Sequence, residues 1–228
     1  MSPIKVFDKT PTTLDDLALH PEMRKSIKLW MQYKENCPSL VFYGHYGTGK
    51  TTAARMVIQK LDRELIYHNA AQQKTKKAFD GTMTALTSMS LIAEKGKAVL
   101  IDELDKLQRD AQDAISGLMD DHPEILWIFT TNRFDLIEGR IHSRTRHARF
   151  DVIYDYASDS YIDDDDLWKT WRKELERVGK RIYKRSGIQY DTRAKNALST
   201  VLENPDYLRD IRRFFHALND EYWKSNLK

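Results

Sequence analysis

A glycine-rich loop carries the clearest chemical signal in the sequence. Residues 44–52 read GHYGTGKTT and follow the apolar run Leu40–Tyr43, which is typical of a strand. The glycine and lysine spacing is that of a P-loop, in which glycines let successive N–H groups surround a phosphate. In this pattern Lys50 supplies charge to the β and γ phosphate oxygens, and the Thr51 hydroxyl binds Mg²⁺. The loop therefore predicts a site for a nucleoside triphosphate.

The predicted contacts of this loop with the nucleotide come from consecutive residues and from the helix that begins there. They are Gly44, His45, Tyr46, Gly47, Thr48, Gly49, Lys50, Thr51 and Thr52. The run that follows to Ile58 is typical of a helix, whose N-terminal dipole favours an anion. The alternative is a glycine turn that happens to contain Lys-Thr, and the strand before it and helix after it argue against that interpretation.

Two adjacent carboxylates end a second apolar run. Ala98–Ile101 is typical of a buried strand, and Asp102 and Glu103 follow it. Side chains alternate along a strand, so we expect Asp102 to hold Mg²⁺ through water and Glu103 to polarise an attacking water. A surface turn that begins with Asp-Glu is the alternative. Together with the P-loop, the pair predicts hydrolysis as well as binding.

Two further polar signals follow later strands. Thr130-Thr131-Asn132 ends an apolar run, and Asn132 is a candidate for orienting water beside the γ-phosphate. The segment 139–147 is rich in arginine, a planar and permanently charged group that neutralises charge on a transferred phosphoryl group when a neighbouring subunit supplies it. A basic surface loop is the alternative for this segment.

The elements that must position these residues form two patterns. Strands are predicted near Leu40–Tyr43, Leu65–Tyr67, Ala98–Ile101, Ile125–Thr130 and Ala148–Val152, with helices between them, as in an open α/β sheet. After about Asp155 apolar residues recur only at helical spacing, from a helix opened by Asp163–Asp166 to a last helix opened by Asn204-Pro205. We predict an α/β nucleotide-binding domain over residues 1–155 and a helical lid over 156–228. The tryptophans fit the lid core better than a base-stacking surface.

The composition limits which kinds of site and partner the protein can have. The chain has 228 residues, a formal charge of +3 and one cysteine, Cys37, which excludes an internal disulfide and a cysteine metal cage. The sequence has no apolar stretch of membrane-spanning length and no hydrophobic start, so we expect a cytoplasmic protein with no membrane partner. Basic clusters at 74–77 and 140–149 permit DNA binding without requiring it.

Taken together, these motifs resemble the AAA+ ATPases and, within them, the clamp loaders of DNA replication, such as replication factor C small subunits and phage clamp-loader ATPase subunits. The resemblance covers nearly the whole chain. It rests on the N-terminal segment 9–17, on the lead into the P-loop at 37–44, on Asp102–Leu107 with 111–115, on Ser143–Arg146, and on Asp210–Arg213. It implies an AAA+ parallel-sheet P-loop domain followed by a small helical lid.

The resemblance also implies roles. Lys50, Thr51, Asp102, Glu103 and Asn132 would act on ATP and Mg²⁺ in their own subunit, and Arg144 would act on the neighbour's ATP. Arg140 and Arg146 are alternatives for Arg144. Arg212 would be the lid arginine that contacts the nucleotide, with Arg209 as its alternative. Partners implied are other AAA+ subunits, primer–template or duplex DNA, and a sliding clamp, with Lys106, Arg109 and Gln112 near the element that follows the DNA backbone.

Several departures from the clamp-loader pattern bear on function. Thr10 replaces an arginine, Asn69–Gln72 replaces an acidic motif, and Ser116-Gly117 replaces a basic pair. The chain ends at Lys228, where clamp loaders carry a helical collar, so we expect either another protein to supply the assembly surface or the oligomer to require ATP and DNA. Two alternatives stay open: a helicase loader or transposition regulator that oligomerises on DNA, and an ATP-gated interaction scaffold.

Overall fold

The computed structural model describes residues 11–75, 96–151, 153–155 and 160–224, with only the backbone at 154 and 155. Lys9, Thr10, Lys76, Lys77 and Val152, on which parts of the sequence predictions depend, lie outside these residues. By backbone contacts the chain divides into two compact units. We call residues 22–45 and 50–150 the α/β unit, and the described parts of 11–21, 46–49 and 151–224 the helical unit. The predicted domain boundary at residue 155 stays a prediction.

A five-stranded parallel sheet forms the centre of the α/β unit. Its strands are β1 (Leu40–Tyr43), β2 (Glu64–Asn69), β3 (Lys97–Asp102), β4 (Leu126–Thr131) and β5 (Arg146–Arg149). The spatial order is β2-β3-β4-β1-β5. β3 and β4 are buried along their whole length, which explains why both read as continuous apolar runs. The predicted α/β sheet is confirmed, but the last strand begins at Arg146 and not at Ala148.

Helices accompany the sheet in chain order. They are α1 (Pro21–Gln32), α2 (Lys50–Lys60), α3 (Arg109–Asp121) and α4 (Gly139–Ser143), with 3-10 turns at Leu104–Lys106 and Phe134–Leu136. An apolar cluster that includes Val99, Ile115, Trp127, Phe129 and Ile141 joins the sheet to α3 and α4. Burial raises the pKa of the Cys37 thiol to about 11, so this cysteine stays protonated at neutral pH, as expected for an inert residue.

The helical unit has its own core. It contains α5 (Asp165–Arg185), α6 (Thr192–Glu203), α7 (Pro205–Arg209) and α8 (Ile211–Lys224), with a short antiparallel pair β6 (Tyr154–Asp155) and β7 (Ser160–Tyr161). Trp171 is 2% exposed and donates its indole N–H to the Leu208 carbonyl at 2.9 Å, while Trp168 packs against the same core. The predicted core role of the tryptophans is confirmed.

Two helix starts in this unit follow the predicted chemistry, and one prediction is wrong. The Asp164 side chain accepts the N–H groups of Asp166 and Leu167, and the Asn204 side chain accepts that of Asp206. The single last helix predicted after Asn204 is broken at Asp210, which is extended. The Asp210 carboxylate accepts the N–H of Arg212 at 2.8 Å and so caps α8.

A buried carboxylate fixes the N-terminal segment onto α5 within the helical unit. Asp16, in the 3-10 turn Leu14–Asp16, accepts the N–H groups of Thr12 and Thr13 at 3.0 and 2.9 Å. Its Oδ1 lies 2.7 Å from Arg181 Nε and its Oδ2 lies 3.1 Å from Arg185 Nη1. The Asp16 side chain is 1% exposed, so the carboxylate is shielded from water, whereas Arg181 is 44% exposed.

Asp16→Ala is expected to lower the free energy of unfolding by about 1–3 kcal/mol, because it leaves the largely shielded Arg185 without its carboxylate and the N–H groups of Thr12 and Thr13 without their acceptor. Burial acts to raise the pKa of Asp16, but hydrogen bonds from Arg181, Thr12 and Thr13 hold it well below its usual range. This stabilisation is therefore present above the unfolded pKa of about 3.9 and is lost as pH falls through that value toward the folded pKa. Urea unfolding at pH 7 and below pH 4 measures both effects.

The control for Asp16→Ala is Asp163→Ala, which removes an exposed carboxylate of the same unit. We expect this control to change stability by less than about 0.5 kcal/mol. Equal destabilisation by the two variants would contradict the role assigned to the buried carboxylate.

In the described residues, no helix has the length and hydropathy to cross a membrane.

Candidate nucleotide-binding site

Three neighbouring strands bring the predicted chemical groups to one edge of the sheet. β4 lies between β1 and β3, with Tyr43 opposite Thr131 and Ile101 opposite Phe129. Because the strands are parallel, their carboxyl ends meet, which is where ligands bind in open α/β sheets. The P-loop follows β1, Asp102 ends β3 and Asn132 follows β4.

The P-loop lysine lies within this group of residues. Lys50 is 8% exposed, and its ammonium donates to the carbonyls of Gly44 at 2.8 Å and His45 at 2.7 Å. It also donates to Asn132 Oδ1 at 2.9 Å. The lysine is thus held at the start of α2 beside the residue predicted to orient water. These three acceptors use all three donors of the ammonium, so a phosphate oxygen would replace at least one of them.

The remaining loop residues differ in exposure. Thr48 is buried, while His45, Thr51 and Thr52 are half-buried and Tyr46 is 60% exposed. Gly47 and Gly49 have φ of 80° and 92°, the left-handed region that favours glycine. The loop backbone therefore has the torsions that the P-loop motif predicts.

The two groups predicted to hold Mg²⁺ are in contact. Thr51 Oγ1 donates to Asp102 Oδ1 at 2.7 Å, and Asp102 is 9% exposed. A hydroxyl and a single carboxylate suit Mg²⁺, which keeps several waters and takes further oxygens from substrate phosphates. The described residues contain no group of three or more His, Cys, Asp or Glu side chains that would form a closed metal cage. The residues present therefore fit a nucleotide-bound Mg²⁺.

Two residues that the sequence predictions missed orient Asp102. The Thr130 hydroxyl donates to Asp102 Oδ1, and the Tyr67 hydroxyl donates to Oδ2 at 3.1 Å. Burial and the neighbouring carboxylate raise the pKa of Tyr67, which keeps its phenol protonated as a donor. Arg55 lies over the Tyr67 ring at 4.5 Å. A polar residue inside the buried run of β4 was the only sequence signal for Thr130.

Glu103 diverges from Asp102 for a reason other than the one predicted. The strand ends at Asp102, and Glu103 has left-handed torsions, φ 59° and ψ 48°. Its N–H donates to Thr130 Oγ1 at 3.1 Å. A left-handed conformation is costly for a residue with a Cβ, and here it turns the chain from β3 into the 3-10 turn Leu104–Lys106. The turn, and not strand alternation, separates the two carboxylates.

The Asp105 carboxylate holds the backbone at Asn132 in place. Its Oδ1 accepts the Thr131 hydroxyl at 2.8 Å and the Asn132 N–H at 3.1 Å, and Lys106 Nζ lies 3.3 Å from Oδ2. Asn132 in turn accepts from Lys50. A continuous set of hydrogen bonds therefore links the turn after β3 to the end of β4 and the P-loop lysine.

The predicted arginine finger lies away from these contacts. Arg144 follows α4, and its guanidinium donates to Asp120 on α3, to the Arg140 carbonyl and to the Ser143 hydroxyl. Arg140 and Arg146 are exposed. Among the three candidates for the arginine finger, Arg144 is therefore the one whose orientation is fixed by paired hydrogen bonds to a carboxylate of the α/β unit.

In the helical unit, the start of α8 closely approaches the part of the P-loop that belongs to this unit. A Cβ placed on Gly47 would lie 2.8 Å from Asp210 Oδ1 and 3.7 Å from Arg212 Cγ. A residue with a Cβ would be strained here by the φ of 80°, and the Asp210 side chain would also have to shift. Arg209 instead lies over the Tyr161 ring at 4.2 Å. Of the two candidate arginines, Arg212 therefore lies beside Gly47.

Comparison with known proteins agrees with this geometry. The profile of the family "ATPase family associated with various cellular activities (AAA)" matches residues 40–155, just over half of the chain. The chain belongs to the AAA family. The match runs from β1 through the P-loop, Asp102-Glu103 and Asn132 to the region after β5, and it confirms the predicted P-loop ATPase domain.

Replication factor C subunits are among the related sequences. The large subunit from Thermoplasma acidophilum is 35% identical over 106 residues, 42% of this chain and 25% of its own length. The small subunit from Saccharolobus solfataricus is 32% identical over 147 residues, 61% of this chain and 44% of its own. The predicted resemblance to clamp-loader ATPases is confirmed. The chain spans less than half the length of these two relatives.

The fold also matches a solved structure. The Thermotoga maritima RuvB Holliday junction branch migration motor is 15% identical and covers 95% of this chain and 72% of its own, with a TM-score of 0.70. At this identity the likeness concerns the fold alone. It confirms a parallel-sheet AAA domain with a helical C-terminal region.

The helix that follows the Asp102-Glu103 motif in this AAA domain is only partly as predicted. Both basic side chains are exposed: Lys106 is 48% exposed and lies beside Asp105, and Arg109 is 84% exposed and pairs with Glu138. Gln112 is 3% exposed, donates to the carbonyls of Leu104 and Leu107, and accepts the Glu138 N–H at 3.0 Å. Gln112 lies on the predicted helix, but its amide is buried and bonded to backbone, so its contacts hold the turn before the helix.

Proposed function

We propose that this AAA domain is an ATPase subunit of a clamp-loader type, which binds and hydrolyses ATP at subunit interfaces to remodel a complex of protein and DNA. One observation carries the proposal: hydrogen bonds join Lys50 to Asn132 and Thr51 to Asp102 at adjacent strand ends. These are the groups that ATP hydrolysis needs for charge, metal and water. Similarity to replication factor C subunits supports the DNA-replication context.

In the proposed reaction the P-loop binds the triphosphate. The N–H groups of residues 44–52 and the start of α2 surround the phosphates, and Lys50 bonds the β and γ oxygens. Thr51 and Asp102 would hold Mg²⁺, with Thr130 and Tyr67 orienting the carboxylate. When bound, Mg²⁺ supplies positive charge that neutralises the phosphate oxygens as the γ-phosphoryl group leaves.

Water activation falls to the two residues that follow β3 and β4. Glu103 accepts a proton from the attacking water, and the Asn132 amide orients that water beside the γ-phosphate. Asp105 fixes the Asn132 backbone through its N–H. Arg212 contacts the nucleotide of its own subunit, supported by its place beside Gly47.

Arg144 completes the site of the neighbouring subunit. Its hydrogen bonds run to α3 and α4, not to the P-loop, which supports a role in trans. An arginine supplied this way contributes about 10³- to 10⁵-fold in related phosphoryl-transfer enzymes. One subunit alone is therefore expected to hydrolyse ATP slowly.

The proposed partners are other AAA subunits, primer–template or duplex DNA, and a sliding clamp, in the cytoplasm. DNA contacts would be made to phosphates, so they would weaken steeply with salt and would carry no sequence preference. Lys106 is exposed enough to make one of them. In this proposal ATP stabilises an assembly that grips clamp and DNA, and hydrolysis releases both.

Steady-state ATP hydrolysis tests the proposal. The rate per subunit is expected to rise with protein concentration and with primer–template DNA at low salt, because assembly delivers Arg144 to each site. Raising the salt should remove the effect of DNA. Glu103→Gln is the control: it should bind ATP and oligomerise but turn over at least about 100-fold more slowly, since general base catalysis contributes about 10²- to 10⁴-fold.

Three results would count against this function. A rate that is flat in both protein concentration and DNA would argue against an assembling, DNA-dependent ATPase. Full activity in Glu103→Gln would remove this residue from water activation. An assembly that forms equally well without ATP would separate oligomerisation from the nucleotide.

A further inference from the structure

The guanidinium of Arg144 is held within its own subunit by a carboxylate on a different helix. Arg144 Nε donates to Asp120 Oδ1 at 2.8 Å, and Nη2 donates to Oδ2 at 2.6 Å. Nη1 donates to the Arg140 carbonyl at 2.7 Å and lies 3.3 Å from Ser143 Oγ. The parallel pair of bonds to Asp120 is the geometry that fixes an arginine fork most firmly.

The backbone under Arg144 is also fixed. Ile141 is fully buried in the core of the α/β unit, and its carbonyl accepts the Thr145 hydroxyl at 2.9 Å. The Arg146 N–H donates to the Ser39 carbonyl at 2.8 Å, where β5 joins β1. Because the main chain is fixed on both sides of Arg144, its remaining freedom is that of the side chain. Asp120 removes most of that freedom.

We propose that Asp120 is a positioning residue that orients Arg144 for the ATP of a neighbouring subunit. The inference rests on the proposed function. A guanidinium has five N–H donors, and the described contacts account for four of them. The fifth N–H, on Nη2, is the one that would donate a hydrogen bond to a phosphate oxygen. Asp120 thus fixes where that donor points before two subunits meet, so less order has to be imposed at the interface.

Asp120 also has an effect that would reduce catalysis. The negative charge of Asp120 weakens the attraction between Arg144 and an anionic phosphate. The Asp120 side chain is 57% exposed, however, so water screens its field, while an unheld arginine keeps nearly all of its rotamer freedom. The hydrogen bond from Arg144 holds the pKa of Asp120 below its usual range, so the pair stays ionised at neutral pH. We therefore expect orientation to outweigh repulsion.

The test uses mixtures of inactive variants. Arg144→Ala retains its ATP site but donates no finger, and Lys50→Ala retains its finger but has no working ATP site. Mixing them creates interfaces in which Arg144 of one subunit serves the ATP of the other, so activity should return. The second mixture pairs Arg144→Ala with the double variant Lys50→Ala/Asp120→Ala. Here only the orientation of the donated finger is changed, and we expect activity about three- to tenfold lower than in the first mixture.

Controls separate orientation from charge and from folding. Asp121→Ala in the Lys50→Ala donor removes a charge from the next residue of α3, which is not a partner of Arg144, and should match the first mixture. Asp120→Glu should recover most of the loss, because it restores a carboxylate. In the otherwise unaltered chain, Asp120→Ala should lower kcat and leave equilibrium ATP affinity unchanged.

Each outcome bears on one proposal. If the Arg144→Ala and Lys50→Ala chains form a mixed assembly that stays inactive while the unaltered chain is active, the trans role of Arg144 fails and the proposed function with it. If that mixture is active and the Asp120→Ala donor performs as well or better, only the positioning role fails. A loss of the same size with Asp121→Ala would also overturn it.

Discussion

Lys50→Ala is expected to reduce ATP affinity by about two orders of magnitude or more and to abolish hydrolysis. The ammonium is the positive charge at the phosphate site, and hydrogen bonds to a charged group are each worth about 1.5–3 kcal/mol. The substitution also removes the donor shared by Gly44, His45 and Asn132, so the water-orienting residue loses its contact with the loop. Equilibrium binding of a fluorescent ATP analogue, with and without Mg²⁺, measures the affinity.

The matched control for Lys50→Ala is Lys60→Ala, which removes a lysine from the exposed end of the same helix. This control should bind ATP normally. Thermal unfolding adds an independent readout, because ATP raises the Tm only of a protein that binds it. Normal affinity and a normal ATP-induced Tm shift in Lys50→Ala would overturn the P-loop assignment.

Local signals explain why much of the fold was predictable. The strand before the P-loop, the runs that became β3 and β4, and the caps at Asp164 and Asn204 depend on neighbours within a few residues. Hydrophobic period and cap chemistry record such local preferences directly. The break at Asp210 was missed because the apolar period continues through it. The deciding interaction is a carboxylate that caps the next helix instead of continuing the previous one.

The candidate site was only partly predictable for a different reason. Lys50, Thr51, Asp102, Glu103 and Asn132 belong to short motifs whose chemistry dictates residue type. Their supporting residues do not: Tyr67 bonds Asp102 across 35 positions of sequence, and Asp120 bonds Arg144 across 24. Such pairs depend on strand order and helix packing, which short sequence motifs and local periodicity do not reveal. The supporting interactions therefore emerge only from the folded chain.

Arg144→Ala is expected to bind ATP as the unaltered chain does and to lose about 10³-fold or more of its assembly-stimulated hydrolysis. Within the described part of the chain the guanidinium is bonded to α3 and α4 and not to its own P-loop, so we expect its removal to leave nucleotide affinity intact. The loss should appear in kcat, since the charge it neutralises develops as the phosphoryl group is transferred. Steady-state kinetics with primer–template DNA, alongside equilibrium ATP binding, separates the two.

Arg140→Ala and Arg146→Ala are the matched controls, because both remove an exposed arginine of the same segment. Each is expected to change hydrolysis by less than about threefold at low salt, as surface charges contribute little to a site they do not touch. Arg144→Lys should remain severely impaired, because an ammonium keeps the charge but cannot reproduce the paired bonds to Asp120. Unchanged turnover in Arg144→Ala with a large loss in either control would move the finger to that arginine. It would also mean that the Asp120 pair serves only to join α4 to α3.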